Sequence, residues 1–342
     1  MTTQPITATG IHPDQTIALQ QTDPADLPKG HPVDAQAGRE GISPRAQLTQ
    51  LLNYFEDNYP EIWNSLTTDE GAGVTGSDLT ALKDDTERMW ARVPDLITHC
   101  SLLVLGAGLD HAMPTSTFLK TGPDASAVTV AGLSGTLLRP SEPTGAVAVS
   151  LHGGPGWFGD AEAHDQLWLP LFAALAEKSG VTVVDLVYPL PGYAAGEGAE
   201  PSETATRAAI AGAFREVQER AGELVGERAA ASASVDRVGL ITFGSGFGLA
   251  RDVVEDAAFL LAMTPRITPA LEQDAPSLAD VPTLVSVASE DTRGTSAEDV
   301  AAFFDGCAPG HEFRSYLSEH IIGAPDVWRR RVADDAEWMQ RF

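Results

Sequence analysis

Three short stretches hold residue types that could do chemistry. The first is Leu151-His152-Gly153-Gly154-Pro155-Gly156-Trp157-Phe158, directly after the apolar run 146–151. A glycine-rich turn there lets backbone N–H groups approach a ligand closely. Two such donors can hold the oxyanion of a tetrahedral intermediate, and losing one typically costs about 3 kcal/mol of barrier. Taken alone, the string also fits a plain Gly/Pro turn. The second stretch is a pair. Asp291 follows the run 283–287, and His320 follows the run 313–317. A carboxylate orients an imidazole and stabilises its cation while the imidazole shuttles a proton. Histidine suits that work because its free pKa, about 6.5, lies near working pH. Separately these residues read as a turn acid and a surface histidine; together, at two strand ends, they read as an acid–base pair. Glu290 and Glu319 are adjacent carboxylates of lower rank. The third stretch is Thr242-Phe243-Gly244-Ser245-Gly246-Phe247-Gly248, a glycine turn with one serine after the run 238–243.

The elements that must carry these residues alternate. Residues 127–130 and 135–138 read as a strand pair. Runs at 146–151, 181–187, 238–243, 259–263, 283–287 and 313–317 read as buried strands. Helical patterns separate them at 167–177, 204–225 and 297–304, and a closing helix spans 325–341. Continuous apolar strands between helices predict a mostly parallel central sheet covered on both faces, an α/β class. Ligands in such sheets sit beyond the carboxyl ends of the strands, where all three stretches fall. Upstream, residues 1–43 lack periodicity and read as a disordered arm. Residues 44–122 form an N-terminal helical segment. Its apolar face runs through Leu48, Leu51, Leu52, Phe55, Ile62, Trp63 and Leu66, and a second helix begins at Ser77 or Asp78 and is interrupted at Pro94. This segment either caps the site or packs on the flank of the domain spanning 123–342.

The His-Gly-Gly loop, the helix after it, and Val187-Tyr188-Pro189-Leu190-Pro191-Gly192 resemble the esterase and lipase branch of the α/β-hydrolase superfamily over roughly residues 126–342. The resemblance implies Gly153 and Gly154 as oxyanion-loop residues, with His152 and Trp157 as pocket neighbours. The order of Asp291 and His320, 29 residues apart, is similar to that of the family's acid and histidine. The family's nucleophile stands in a small-x-nucleophile-x-small turn, where strand and helix cross tightly. With Ser245 as nucleophile the flanks are Phe243 and Phe247, which are bulky. Centring on Gly244 gives Thr242 and Gly246, and centring on Gly246 gives Gly244 and Gly248; both restore small flanks and lose the hydroxyl. Two readings follow. In one, Ser245 attacks a small ester, His320 takes its proton and an acyl-enzyme is hydrolysed, as in a carboxylesterase. In the other, glycine holds the nucleophile position, and the chain binds a small apolar ligand or a protein, or does other chemistry with the His–Asp pair.

Bulk properties narrow the partners. Acidic residues number 48 against 22 basic, a net charge of −26, which disfavours nucleic acid and anionic membrane surfaces. No signal sequence or membrane span is legible, so a cytoplasmic location is expected. Cys100 and Cys307 are expected as free thiols. His99, His111 and His311 lack metal-ligand spacing, and no P-loop or dinucleotide fingerprint is present. The expected partner is a small acyl substrate or ligand, with no cofactor and no metal.

Overall fold

The computed structural model describes residues 43–66, 76–105, 124–154, 159–190, 203–227, 229 and 238–342. Trp157 and nearly all of the N-terminal arm expected over 1–43 lie outside them.

Ten strands are described: β1 (Asp124–Val130), β2 (Leu133–Arg139), β3 (Val147–Leu151), β4 (Thr182–Leu186), β5 (Val238–Phe243), β6 (Leu260–Met263), β7 (Thr283–Ala288), β8 (Glu312–Tyr316), β9 (Ser318–Glu319) and β10 (Ile322–Gly323). The first eight form one sheet in the order β1-β2-β4-β3-β5-β6-β7-β8. The strands β4-β3-β5-β6-β7-β8 run parallel, and β1 and β2 are antiparallel at one edge. Strands β3 to β7 are buried along their whole length, as continuous Val/Leu/Ala runs require when helices cover both faces. Leu151 pairs with Thr242, and Phe243 pairs with Met263, so β3, β5 and β6 end at one level. The turns after those strands therefore open on a common crevice.

The helices are α1 (Pro44–Asn58), α2 (Pro60–Ser65), α3 (Gly76–Leu105), α4 (Leu169–Ser179), α5 (Glu203–Leu224), α6 (Gly246–Leu249), α7 (Pro269–Gln273), α8 (Ala297–Cys307) and α9 (Pro325–Met339). A π-helical turn, His164–Trp168, leads into α4, closed by a Leu169 N–H bond to the His164 carbonyl. On one face of the sheet, Trp168 and Phe172 of the α4 region and Trp328 and Trp338 of α9 form a core with Leu51, Phe55, Trp90 and Val93 of the N-terminal helices. On the other face, Ile210, Phe214 and Val217 of α5 pack with Phe247 and Phe304.

The expected break at Pro94 is not there: α3 runs through it as one helix. Proline removes one ladder bond, but Trp90, Val93 and Ile97, all under 5% exposed, anchor the helix on both sides of it. Tertiary burial outweighs the local cost.

Beneath the crevice a buried polar network ties α9 to the sheet. Arg331 donates through Nε to Ser286 Oγ at 2.9 Å, and through Nη2 to Ser286 O at 2.6 Å and Thr264 Oγ1 at 2.8 Å. Ser286 Oγ in turn donates to Asp335 Oδ2 at 2.9 Å. Removing one member of such a network leaves the other charge uncompensated. Arg331→Ala is expected to lower the unfolding free energy by about 3–5 kcal/mol in urea titrations, and the double substitution Arg331→Met with Asp335→Leu to lose less.

Candidate active site

The turn after β5 sets the register of the site. Gly244 follows the last strand residue at φ +53, in the left-handed region. Ser245 is already right-handed (φ −67, ψ −19) and opens α6. The sharp bend is thus made at Gly244. Its N–H donates to Met263 O at 3.1 Å and its carbonyl accepts from the Arg266 N–H at 3.0 Å, which fixes both sides of the peptide. Two residues on, a Cβ at Gly246 would stand 2.6 Å from Leu151 O and 2.8 Å from His152 O, both backbone atoms. A Cβ at Gly244 would meet only Gly153 Cα at 3.5 Å and Gly154 N at 4.0 Å. Gly246 is therefore the small flank that the tight crossing demands, and Thr242 is its counterpart. The small-x-nucleophile-x-small frame centres on Gly244. Phe243 points into the core against Trp168, with ring centroids 4.7 Å apart, and Phe247 packs on Phe304.

Ser245 still borders the crevice, but its Oγ donates to the Gly154 carbonyl. His320 pairs with Asp291, with Nδ1 and Oδ2 2.9 Å apart. Asp291 Oδ1 also accepts from the N–H groups of Arg293 (2.9 Å) and Gly294 (2.8 Å). Burial would raise the Asp291 carboxyl, but the contact with His320 and these two N–H bonds hold it below the ordinary range. His320 sits at φ +49 in the tight turn between β9 and β10, and Trp90 stands edge-on to its ring at 6.3 Å. Glu319 is engaged elsewhere: it accepts from Thr292 Oγ1 and Arg293 Nε. Arg293 also donates to the carbonyls of Trp63 and Leu66, stitching the N-terminal segment to the acid loop. Glu290 pairs with Arg45 at the surface.

The crevice is a narrow cleft open to solvent at its mouth. Trp90, Trp168 and Phe243 form an apolar wall, and Gly154, Gly244, Ser245, Thr264, Arg266, Thr295 and His320 supply polar groups. Of the residues expected here, Gly154, Gly244, Ser245 and His320 line it, with Asp291 behind His320. His152 lies behind the loop instead: fully buried, it stacks on Tyr188 at 4.3 Å. Trp90, Thr264, Arg266 and Thr295 carry no motif. Helical spacing in α3 puts Trp90 on a buried face, but only the fold brings that face to the histidine. Among the described residues no cluster of three His, Cys, Asp or Glu could hold a metal ion, and no helix is long and apolar enough to cross a membrane.

A second histidine–carboxylate pair lies behind the loop. His164 Nε2 is 3.0 Å from Asp185 Oδ2, and Ser150 Oγ donates to Asp185 Oδ1 at 2.7 Å. Burial pulls His164 down, but Asp185 and then Asp165 outweigh it and raise it to about 9. Burial, and next the neighbouring His164, push His152 down to about 3. The surroundings thus favour the charged form of His164 and the neutral form of His152, whose backbone carbonyl accepts from the Tyr188 hydroxyl at 2.7 Å.

Two outcomes are expected. Because the folded His164 value lies above the ordinary 6.5, its stabilisation is complete below pH 6.5 and is lost as pH rises through 9. Melting temperatures should fall across that window in the wild type, and the slope should flatten in His164→Gln. Gly246→Ala should destabilise severely or prevent folding, because backbone atoms block its Cβ. Gly244→Ala should cost only the left-handed strain, about 1–2 kcal/mol in chemical denaturation.

Neither a protein-family model nor a curated protein sequence matches the chain. Solved structures do. A thermostable esterase from Pseudomonas putida aligns at TM-score 0.55 and 14% identity, covering 86% of this chain and 96% of that one. An esterase from Pyrobaculum calidifontis aligns at TM-score 0.54 and 15% identity, covering 77% and 93%. At these identities the likeness carries architecture rather than activity. On sheet order, crevice and structural likeness together, the chain is an α/β-hydrolase-fold protein.

Proposed function

We propose that the chain hydrolyses a small, largely apolar ester or related acyl compound without a covalent intermediate, with water in place of a serine nucleophile. The observation that carries this reading is the left-handed Gly244 at the elbow tip, facing a crevice that His320 enters with Asp291 2.9 Å behind it. A tip without a side chain leaves room for a water molecule there. His320 takes a proton from that water as its oxygen bonds to the acyl carbon. The N–H groups of Gly153, Gly154 and Ser245 are the candidate donors for the resulting oxyanion. As the intermediate collapses, the bond to the leaving oxygen breaks and the imidazolium returns the proton to it. Asp291, held ionised, stabilises the imidazolium in between. The aromatic wall of Trp90, Trp168 and Phe243 suits an apolar acyl or alcohol group.

A second reading keeps Ser245 as nucleophile, and its position in the same crevice as His320 favours it. Rotation of its hydroxyl away from the Gly154 carbonyl would be required.

Hydrolysis of p-nitrophenyl acetate and labelling by a fluorophosphonate separate the two. Under the water mechanism, His320→Ala loses about 10²–10⁴-fold in rate. Ser245→Ala stays within about threefold of the wild type, since no bond to its oxygen is made. The wild type is not labelled, and Gly244→Ser gains labelling by placing a hydroxyl at the tip. Wild-type labelling that disappears in Ser245→Ala would establish the acyl-enzyme instead. A folded wild type with neither hydrolysis nor labelling would leave ligand binding as the function.

A further inference from the structure

The N-terminal segment meets the loop after β3 with a buried carboxylate. Glu87, on α3, is only 4% exposed. Its Oε1 accepts from the N–H groups of Gly159 and of Asp160, the latter at 3.1 Å, and its Oε2 accepts from the Ala163 N–H at 2.9 Å. One turn earlier, Lys83 Nζ lies 2.9 Å from Asp160. Trp90, nearly one turn later, forms the crevice wall beside His320. Lys83, Glu87 and Trp90 are spaced i, i+4 and i+7, so one face of α3 presents all three.

The backbone that Glu87 grips is also the backbone that presses on the loop. Gly159 stands at φ +107, and a Cβ there would fall 3.0 Å from the Gly153 carbonyl and 3.2 Å from His152 Nδ1. Burying a carboxylate is costly unless several donors meet it. A helix that merely covered the flank would be served by another apolar residue at this position. Three N–H groups drawn to one charge instead fix where residues 159–163 run, and so where Gly153 lies.

We propose that Glu87 is a positioning residue for the loop His152-Gly153-Gly154, acting through Gly159, so that the N-terminal helix completes the site rather than only sheltering it. The name oxyanion loop rests on the proposed hydrolysis; the mechanical coupling does not. A competing role is an external cap for the helical turn that begins at His164, in which case only the start of that turn should respond.

Amide hydrogen exchange on the full chain without substrate tests the coupling whether or not hydrolysis occurs. Glu87→Ala should speed exchange about tenfold or more at Gly159, Asp160 and Gly153 as local opening becomes cheaper. Glu87→Gln, which keeps one acceptor oxygen, should show a smaller rise at the same amides and serves where the alanine variant does not fold. Val93→Ala, a core truncation on the same helix, should leave Gly153 unchanged. A response confined to Ala163 and the turn after it would overturn the proposal, as would the same Gly153 response in Val93→Ala. In the ester assay, Glu87→Gln should lower kcat several-fold more than it raises KM. A KM-only effect would remove the loop as its target.

Discussion

The tight crossing of the β5–α6 turn over the end of β3 is the constraint on which the rest of the site depends. Gly246 lies so close to the carbonyls of Leu151 and His152 that no side chain fits between them. That contact fixes the frame of the turn. Once Gly246 is the crowded flank, the left-handed residue two positions earlier must be Gly244, and Ser245 must begin the helix. The same contact sets the glycine loop after β3 directly against the turn after β5. Ser245, one residue further along the chain, borders the same crevice, and its hydroxyl donates to the Gly154 carbonyl.

Three supports converge on the loop from behind and from the side. Tyr188 holds the His152 carbonyl, His164 beside Asp185 meets the His152 ring edge-on at 5.5 Å, and Glu87 holds the return segment at Gly159. The acid loop is supported in the same manner: Arg293 joins Glu319 beside His320 to the carbonyls of Trp63 and Leu66. Both halves of the site therefore lean on residues upstream of the sheet. The N-terminal helices share a hydrophobic core with α4 and α9. This bears on the choice between capping and flanking, because Trp90 is at once a core residue and part of the crevice wall.

Much of the sheet was legible in the sequence because parallel strands buried on both faces must read as unbroken apolar runs, and every such run from residue 146 to 317 became a strand. The pairing of Asp291 with His320 was legible for a related reason: each stands at the end of such a run, and strand ends gather on one edge. The elbow was legible only as a set of frames. Gly244, Gly246 and Gly248 are chemically identical, and what distinguishes them is a carbonyl contact from β3, a strand more than 90 residues away in sequence. Trp90, Glu87 and Arg293 left no local signature, since their roles arise where α3 and the acid loop dock. Pro94 misled because its local cost is fixed, whereas the compensating burial of Trp90, Val93 and Ile97 depends on what lies opposite.

An elbow with a glycine at its tip leaves the Asp291–His320 pair in place beside the crevice. Asp291 is spent on one imidazole nitrogen and two N–H groups, so that carboxylate is held ionised where it can stabilise only one developing cation, that of His320. A purely structural turn would gain nothing from burying a charge whose partner faces a crevice. It would gain nothing either from holding His320 at a left-handed backbone angle, which costs about 1–2 kcal/mol for a residue with a side chain. Strain and buried charge placed together beside a cavity are what the proposed hydrolysis would require of an oriented proton carrier. Under the proposed hydrolysis, the glycine changes the identity of the group that gives up the proton, from a tethered hydroxyl to a water that must diffuse in.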